Sequence, residues 1–325
     1  MPRSSPLPSA HQPLHREVIA SAAQTAWNER RYWPLAAGAA LVFGAGGYDL
    51  GWRAARALAL MGTALSEHVP TAFPALNPWH TVMAGPWILG FAIVLLALGA
   101  MAVACQGGLI FALGAAREGK APTIHQAFNA GVKSFWKVLA LDAALLGAIW
   151  LLRFFVALAL SLALETLSPG AKALYAASFV FFGILQFAGF ILLIFTLHRA
   201  VLHRDGVAEA FPRAYALLKR HWLVAGETLL LLLASALGVF VFTLGGIFLM
   251  TIPAFFGYLL ALAVGSPALF TLATWFVVLT TGLILVGAVS FLTQLQYAVW
   301  TELWTRIAEG RATPKLHRLH AQITR

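Results

Sequence analysis

Few residues of this 325-residue chain have the means to do chemistry, and several of them stand in apolar surroundings. Asp49, Asp142, Arg153 and Glu227 each interrupt a run dominated by Leu, Ala, Val, Gly and Phe. An ionisable side chain near the centre of a membrane-spanning helix costs about 2.5–3.5 kcal/mol on insertion scales, so each calls for a partner or a role. Asp142 lies six residues after Trp136, and Glu227 five after Trp222. If those tryptophans mark membrane entry, the two carboxylates sit at equal depth near one face. They can then line one polar cavity and bind a cation or relay protons, with Gln106 and Gln186 as hydrogen-bonding neighbours. The plainer role is snorkelling, or capping a nearby Ser, Thr or basic group. Gln294 and Gln296 also carry amides into apolar runs, where interhelical hydrogen bonding is the default use.

Asp49, sixteen residues after Trp33, and Arg153, seventeen after Trp136, have opposite charge and matching depth. They can form an ion pair between two spans. Alternatively, Asp49 pairs locally with Arg53 and Arg56, which share its helix face at i+4 and i+7. The span holding both Asp142 and Arg153 is expected to turn its polar groups toward the bundle interior.

The elements that must position these residues follow from composition. Hydrophobic residues make up 60% and charged ones 10%, with mean hydropathy +0.81. Soluble domains run about 45–50% apolar and about 25% charged, so the values point to an all-α polytopic membrane protein and exclude a soluble enzyme or a disordered chain. Six segments have about the 20 apolar residues a bilayer core requires: Trp33–Leu50, Trp87–Ala115, Val138–Ala163, Ala173–Val201, Leu223–Met250 and Leu269–Trp300. Gly245-Gly246 and Pro253 are expected to break the fifth near its outer end. The domains read as a cytoplasmic N-terminal segment over 1–31, a membrane domain over 32–303 and a basic tail over 304–325. Residues 1–31 contain no apolar core, so a cleaved signal peptide is not expected.

The formal net charge is +10. Eighteen of the 22 Lys and Arg fall on one side of the alternating spans, three on the other, and Arg153 within a span. The positive-inside rule then places both termini in the cytoplasm of an inner-membrane protein, and it explains the basic balance without nucleic acid.

The spans also repeat. Arg117-Glu118-Gly119, Arg204-Asp205-Gly206 and Ala308-Glu309-Gly310 close the second, fourth and sixth, with Gly suited to a left-handed turn. Behind the first of these turns, Pro122 and the capping-box spacing Thr123-Ile-His-Gln126 open an amphipathic segment through Phe128, Phe135 and Trp136. Val207 to Trp222 and Val18 to Trp33 read as two further copies. The unit is an interfacial helix and a helical hairpin, three times over. The polar faces carry Arg30 and Arg31, then Lys133 and Lys137, then Arg213, Lys219 and Arg220, a pattern suited to anionic lipid headgroups.

Through Glu118-Gly119 to Phe128 and Asp205-Gly206 to Trp222, the chain resembles six-span bacterial membrane-protein families that include the membrane domain attached to some glycerophosphodiester phosphodiesterases. The resemblance implies architecture; the phosphodiesterase domain itself has no counterpart here.

No zinc-protease motif, Walker A motif or cysteine pair occurs. Gly44–Gly51 approaches a dinucleotide fingerprint but lacks a preceding strand, and Gly47-x-x-x-Gly51 reads better as a helix-packing face. The lone Cys105 reads as a buried small hydrophobe. Histidines such as His198, His203, His317 and His320 read as interfacial or solvated, with no metal or cofactor implied. The expected function is a non-enzymatic scaffold or lipid-interacting protein, with a small transporter or channel using the intramembrane carboxylates as the alternative.

Overall fold

In a computed structural model of the protein, which describes residues 14–43, 86–166 and 168–308, every described element is helical. The order is α1 (Leu14–Asn28), a 3-10 turn (Arg30–Tyr32), α2 (Trp33–Phe43), α3 (Pro86–Arg117), α4 (Ile124–Thr166), α5 (Pro169–Leu202), α6 (Val207–Val264) and α7 (Pro267–Ala308). Five of these, α3 to α7, contain stretches long and apolar enough to cross a membrane. The first expected span is described only through Phe43. Its remainder, with Asp49, Arg53, Arg56 and the Gly47–Gly51 face, lies outside the described residues, as do Glu309, Gly310, His317 and His320.

The core is built from the C-terminal stretches of three parallel helices. Ala102–Leu113 of α3, Ile191–Val201 of α5 and Val289–Ile307 of α7 supply most of the buried side chains, including Leu109, Phe195 and Trp300. Trp300 and Trp304 both pack edge-on against Phe195, at centroid separations of 5.8 Å. α1 and α2 close the bundle against α7, with Val18, Ala22, Ala26 and Leu35 buried there.

Close helix approach depends on small residues. A Cβ on Gly131 of α4 would overlap the carbonyl oxygen of Ala104 on α3, and one on Gly108 would come within 2.7 Å of the Ala127 carbonyl oxygen. The α3–α4 crossing thus brings backbone against backbone, the arrangement small residues permit where apolar solvent supplies no hydrophobic drive between helices.

Helix ends follow local chemistry. Thr123 and Gln126 form the reciprocal capping box: the Gln126 N–H donates to Thr123 Oγ1 at 3.3 Å, and the Thr123 N–H to Gln126 Oε1 at 3.0 Å. Ser168 caps α5 by accepting from the Ala171 N–H at 3.2 Å, with Pro169 in the first turn. Gly119 takes the expected left-handed conformation at φ 75°. In the second turn Arg204 takes it instead, at φ 59°, while Gly206 is extended and caps α6.

Two further expectations are corrected. The amphipathic segment before Val138 is not a separate helix lying across the span: α4 runs unbroken for 43 residues. Within α6, by contrast, the corresponding segment is set off by a kink at His221 (φ −125°, ψ 25°). Gly245-Gly246 and Pro253 do not break the outer end of α6, which continues to Val264 and turns into α7 over Gly265 and Ser266. In an apolar medium an open turn would leave backbone groups unbonded, which outweighs the roughly 1 kcal/mol that Gly costs in a helix. No Asp, Glu, Lys or Arg occurs between Glu227 and Glu302, so this hairpin is apolar along almost its whole length.

Candidate functional site

One end of the bundle collects the C-termini of α3, α5 and α7 and the N-termini of α4 and α6, and with them the basic residues. Arg117 Nε lies 3.1 Å from Glu302 Oε2, and Arg306 bridges Glu302 (2.7 Å) and Glu17 (3.0 Å), joining α1, α3 and α7. Asp205 takes Arg199 at 2.6 Å and Arg213 at 3.0 Å. Desolvation would raise the Asp205 pKa, but hydrogen bonds and charge from the two guanidinium groups outweigh it and hold the carboxyl below its ordinary value. Lys137 Nζ donates to the carbonyl oxygens of Arg204 and Asp205 at 3.0 and 3.2 Å, tying α4 to the α5–α6 turn.

The expected headgroup face therefore divides. Arg31 is engaged by Glu29 at 2.7 Å and lies 5.0 Å from the Tyr32 ring, and Arg213 and Lys137 are engaged as above. Arg30, Lys133, Lys219 and Arg220 are exposed. Trp27, Trp136 and Trp222 are also exposed at this end, as headgroup-level aromatics would be.

Two pockets open here. One, of about 330 Å³, lies between α1, α3 and α7 and is lined by Gln24, Thr25, Asn28, Glu29, Arg117 and Glu302 among others. The larger, about 660 Å³, lies between the ends of α3, α4, α5 and α7, with Lys133, Lys137, Arg117 and Arg204 around apolar walls that include Phe111 and Trp304.

Deeper in the bundle is a second polar group. Asp142 is buried, and Gln106 Nε2 donates to its Oδ1 at 3.4 Å. Asp142 Oδ2, Gln106 Oε1 and the hydroxyl of the nearby Tyr297 are buried without a hydrogen-bond partner among the described residues. Glu227 is half-buried on α6, Gln186 half-buried on α5, and neither Asp142 nor Glu227 lines the two pockets above. Gln294 is buried, and its Nε2 donates to the Glu29 carbonyl at 2.9 Å.

Arg153 does not turn inward. It is exposed on α4, with its guanidinium 5.8 Å from the Trp150 ring centre, where a long stem and a flat cation can lie along an aromatic face. Its proposed partner Asp49 lies outside the described residues. Cys105 is buried and free, as its apolar setting implied. His198, expected at the interface, is fully buried. Its Nδ1 lies 2.7 Å from the Ile194 carbonyl oxygen and its Nε2 2.9 Å from Thr301 Oγ1, whose hydroxyl also donates to the Tyr297 carbonyl at 2.8 Å. The pairing of His198 with Thr301, and the reach of Glu302 to Arg117 and of Arg306 to Glu17, carry no local sequence signal, because each joins residues far apart in the chain; only the Glu302–Arg306 pair has the i,i+4 spacing of one helix.

No protein-family model, curated protein sequence or solved structure matches this chain.

Proposed function

We propose that the chain is a non-enzymatic inner-membrane protein that engages anionic lipid headgroups at its basic, cytoplasmic end. In this reading it is a six-span bundle of three helical-hairpin repeats, with the segment after Trp33 completing the first span. The observation that carries it is the gathering of exposed Arg30, Lys133, Lys219 and Arg220 with exposed Trp27, Trp136 and Trp222 at one end of a long apolar bundle. A basic, aromatic rim is what a surface of anionic lipids attracts, at about 1 kcal/mol per cation near the membrane. The three buried stretches of α3, α5 and α7 support the repeat. The test is reconstitution into nanodiscs of phosphatidylcholine with and without phosphatidylglycerol, with retained lipid counted by native mass spectrometry. Enrichment of the anionic lipid is expected; retention in proportion to the supplied mixture would refute the reading.

A second reading, transport through the intramembrane carboxylates, is favoured by the partnerless oxygens of Asp142, Gln106 and Tyr297. Flux measurements on Asp142→Asn and Glu227→Gln in proteoliposomes test it, and undiminished flux in both would end it.

A further inference from the structure

We propose that the 660 Å³ pocket between the ends of α3, α4, α5 and α7 is a discrete binding site for a phosphate-bearing anion, occupied by the headgroup of an anionic glycerophospholipid. The proposal rests on the headgroup reading above and narrows it from a face to a site.

The pocket has two kinds of wall. Phe111, Leu202 and Trp304 form apolar walls, while Arg117, Lys133, Lys137 and Arg204 bring four cationic side chains to its lining. Glu118 is the one carboxylate among the lining residues. Its volume is within the roughly 300–1,000 Å³ of small-molecule sites. The cations are not equally committed. Arg117 is half-neutralised by Glu302, and Lys137 spends two of its three protons on the Arg204 and Asp205 carbonyls. Lys133, one helical turn before Lys137 on the same face, makes no hydrogen bond or ion pair among the described residues. Arg204 sits next to the Lys137 contact with its backbone at φ 59°, a conformation that non-glycine residues adopt at a cost of order 1–3 kcal/mol. Gly206, two residues on, does not relieve it. The turn therefore carries a guanidinium at a position where glycine would be cheaper.

Cations above and apolar surface below match an amphiphile whose phosphate sits among the Lys and Arg and whose glycerol and first methylenes run along Phe111 and Trp304. Basic pockets between membrane helices at the cytoplasmic side bind lipid headgroups by this division of labour. A free phosphate ion satisfies the cations alone and leaves the apolar walls unused.

The experiment uses the full chain in nanodiscs, with Lys133→Gln plus Arg204→Gln as the pocket variant and Lys172→Gln, an exposed cation in the first turn of α5 at the opposite end, as the control variant. Phosphatidylglycerol affinity is measured by native mass spectrometry, and inorganic phosphate serves as competitor. The pocket variant should lose at least about tenfold in affinity, as expected where even one charge-assisted bond of about 1.5 kcal/mol is removed, while the control variant stays within about twofold. Arg204→Gly guards against misfolding: it relaxes the strained backbone, so its melting midpoint should hold or rise while binding weakens. Anionic enrichment that the pocket variant retains in full overturns the site and leaves the headgroup reading standing. Absence of any anionic enrichment, with no phosphate binding, overturns both. Inorganic phosphate bound at the wild-type pocket and lost in the pocket variant, with no gain from lipid, keeps the phosphate site and overturns the lipid as its source.

Discussion

Arg117 on the last turn of α3 and Glu302 on α7 meet at 3.1 Å, and through Arg306 the same carboxylate reaches Glu17 on α1. Three helices far apart in sequence are thereby pinned at the level where the bundle meets its basic end. The Glu302 side chain is only 13% exposed, so both guanidinium groups are partly desolvated.

Glu302→Gln is expected to destabilise the protein by about 1–3 kcal/mol, between the values for exposed and buried pairs, because Arg117 loses its counter-charge and Arg306 keeps only Glu17. Glu118→Gln, which breaks the exposed 3.3 Å pair with Lys120, should change stability by less than about 0.5 kcal/mol. Thermal unfolding in detergent compares them. Equal midpoints would show that the Glu302 hub contributes nothing.

The α3–α4 crossing gives a steric prediction. Gly131→Ala forces the helices apart, since its Cβ would overlap the Ala104 carbonyl, and should cost about 1–3 kcal/mol. Gly147→Ala, on the same helix with open space around it, should be neutral or stabilising by up to about 1 kcal/mol. A Gly131→Ala protein as stable as wild type would contradict the crossing.

Asp205 sets a pH dependence. Its folded pKa lies below the ordinary value, so its contribution is complete above the unfolded-state pKa of about 3.9 and disappears as pH falls through the folded one. Asp205→Asn should lower the melting midpoint at pH 7, and the gap from wild type should close in acid. A gap that persists unchanged into the acid-unfolding range would show that charge is not the cause.

The His198–Thr301 pair is open to a double-mutant cycle. Thr301→Val leaves the buried imidazole Nε2 without its hydroxyl partner and should cost about 1–3 kcal/mol. His198→Phe with Thr301→Val should cost less than the sum of the two single changes. Additive costs would mean the 2.9 Å contact carries no coupling.

What the chain discloses before folding is what local spacing and hydropathy encode. The Thr123–Gln126 capping box is a four-residue pattern, and it forms. The Lys and Arg between apolar runs gather at one end, and Trp136 and Trp222 stand exposed there. Gly119 is left-handed as glycine at a helix end should be. What hydropathy misses is direction and distance. It averages Arg153 and Asp142 alike, although one lies exposed over Trp150 and the other is buried beside Gln106. It reads Pro253 and Gly245-Gly246 as breaks because those residues weaken helices in water, whereas α6 runs through them. It cannot foresee that Lys137 would bond to carbonyls 67 and 68 residues away, and so divide the basic face into structural and available cations.

The α6–α7 hairpin has a mechanical consequence. Between Glu227 and Glu302 each leg carries no charge, and at 1.5 Å per residue each is about 52–56 Å long. A bilayer core is about 30 Å thick, and even a 40° tilt, near the top of the usual range, leaves a projection of about 40–43 Å. Tilt alone does not absorb the excess, and the two-residue turn at Gly265–Ser266 joins the legs without slack. Part of the excess is covered by protein, since Thr293 to Thr301 of α7 are largely buried in the bundle; any leaflet thickening around the rest costs fractions of a kcal/mol per ångström. Where such a hairpin crosses a bilayer, its elastic cost falls as the lipid tails lengthen.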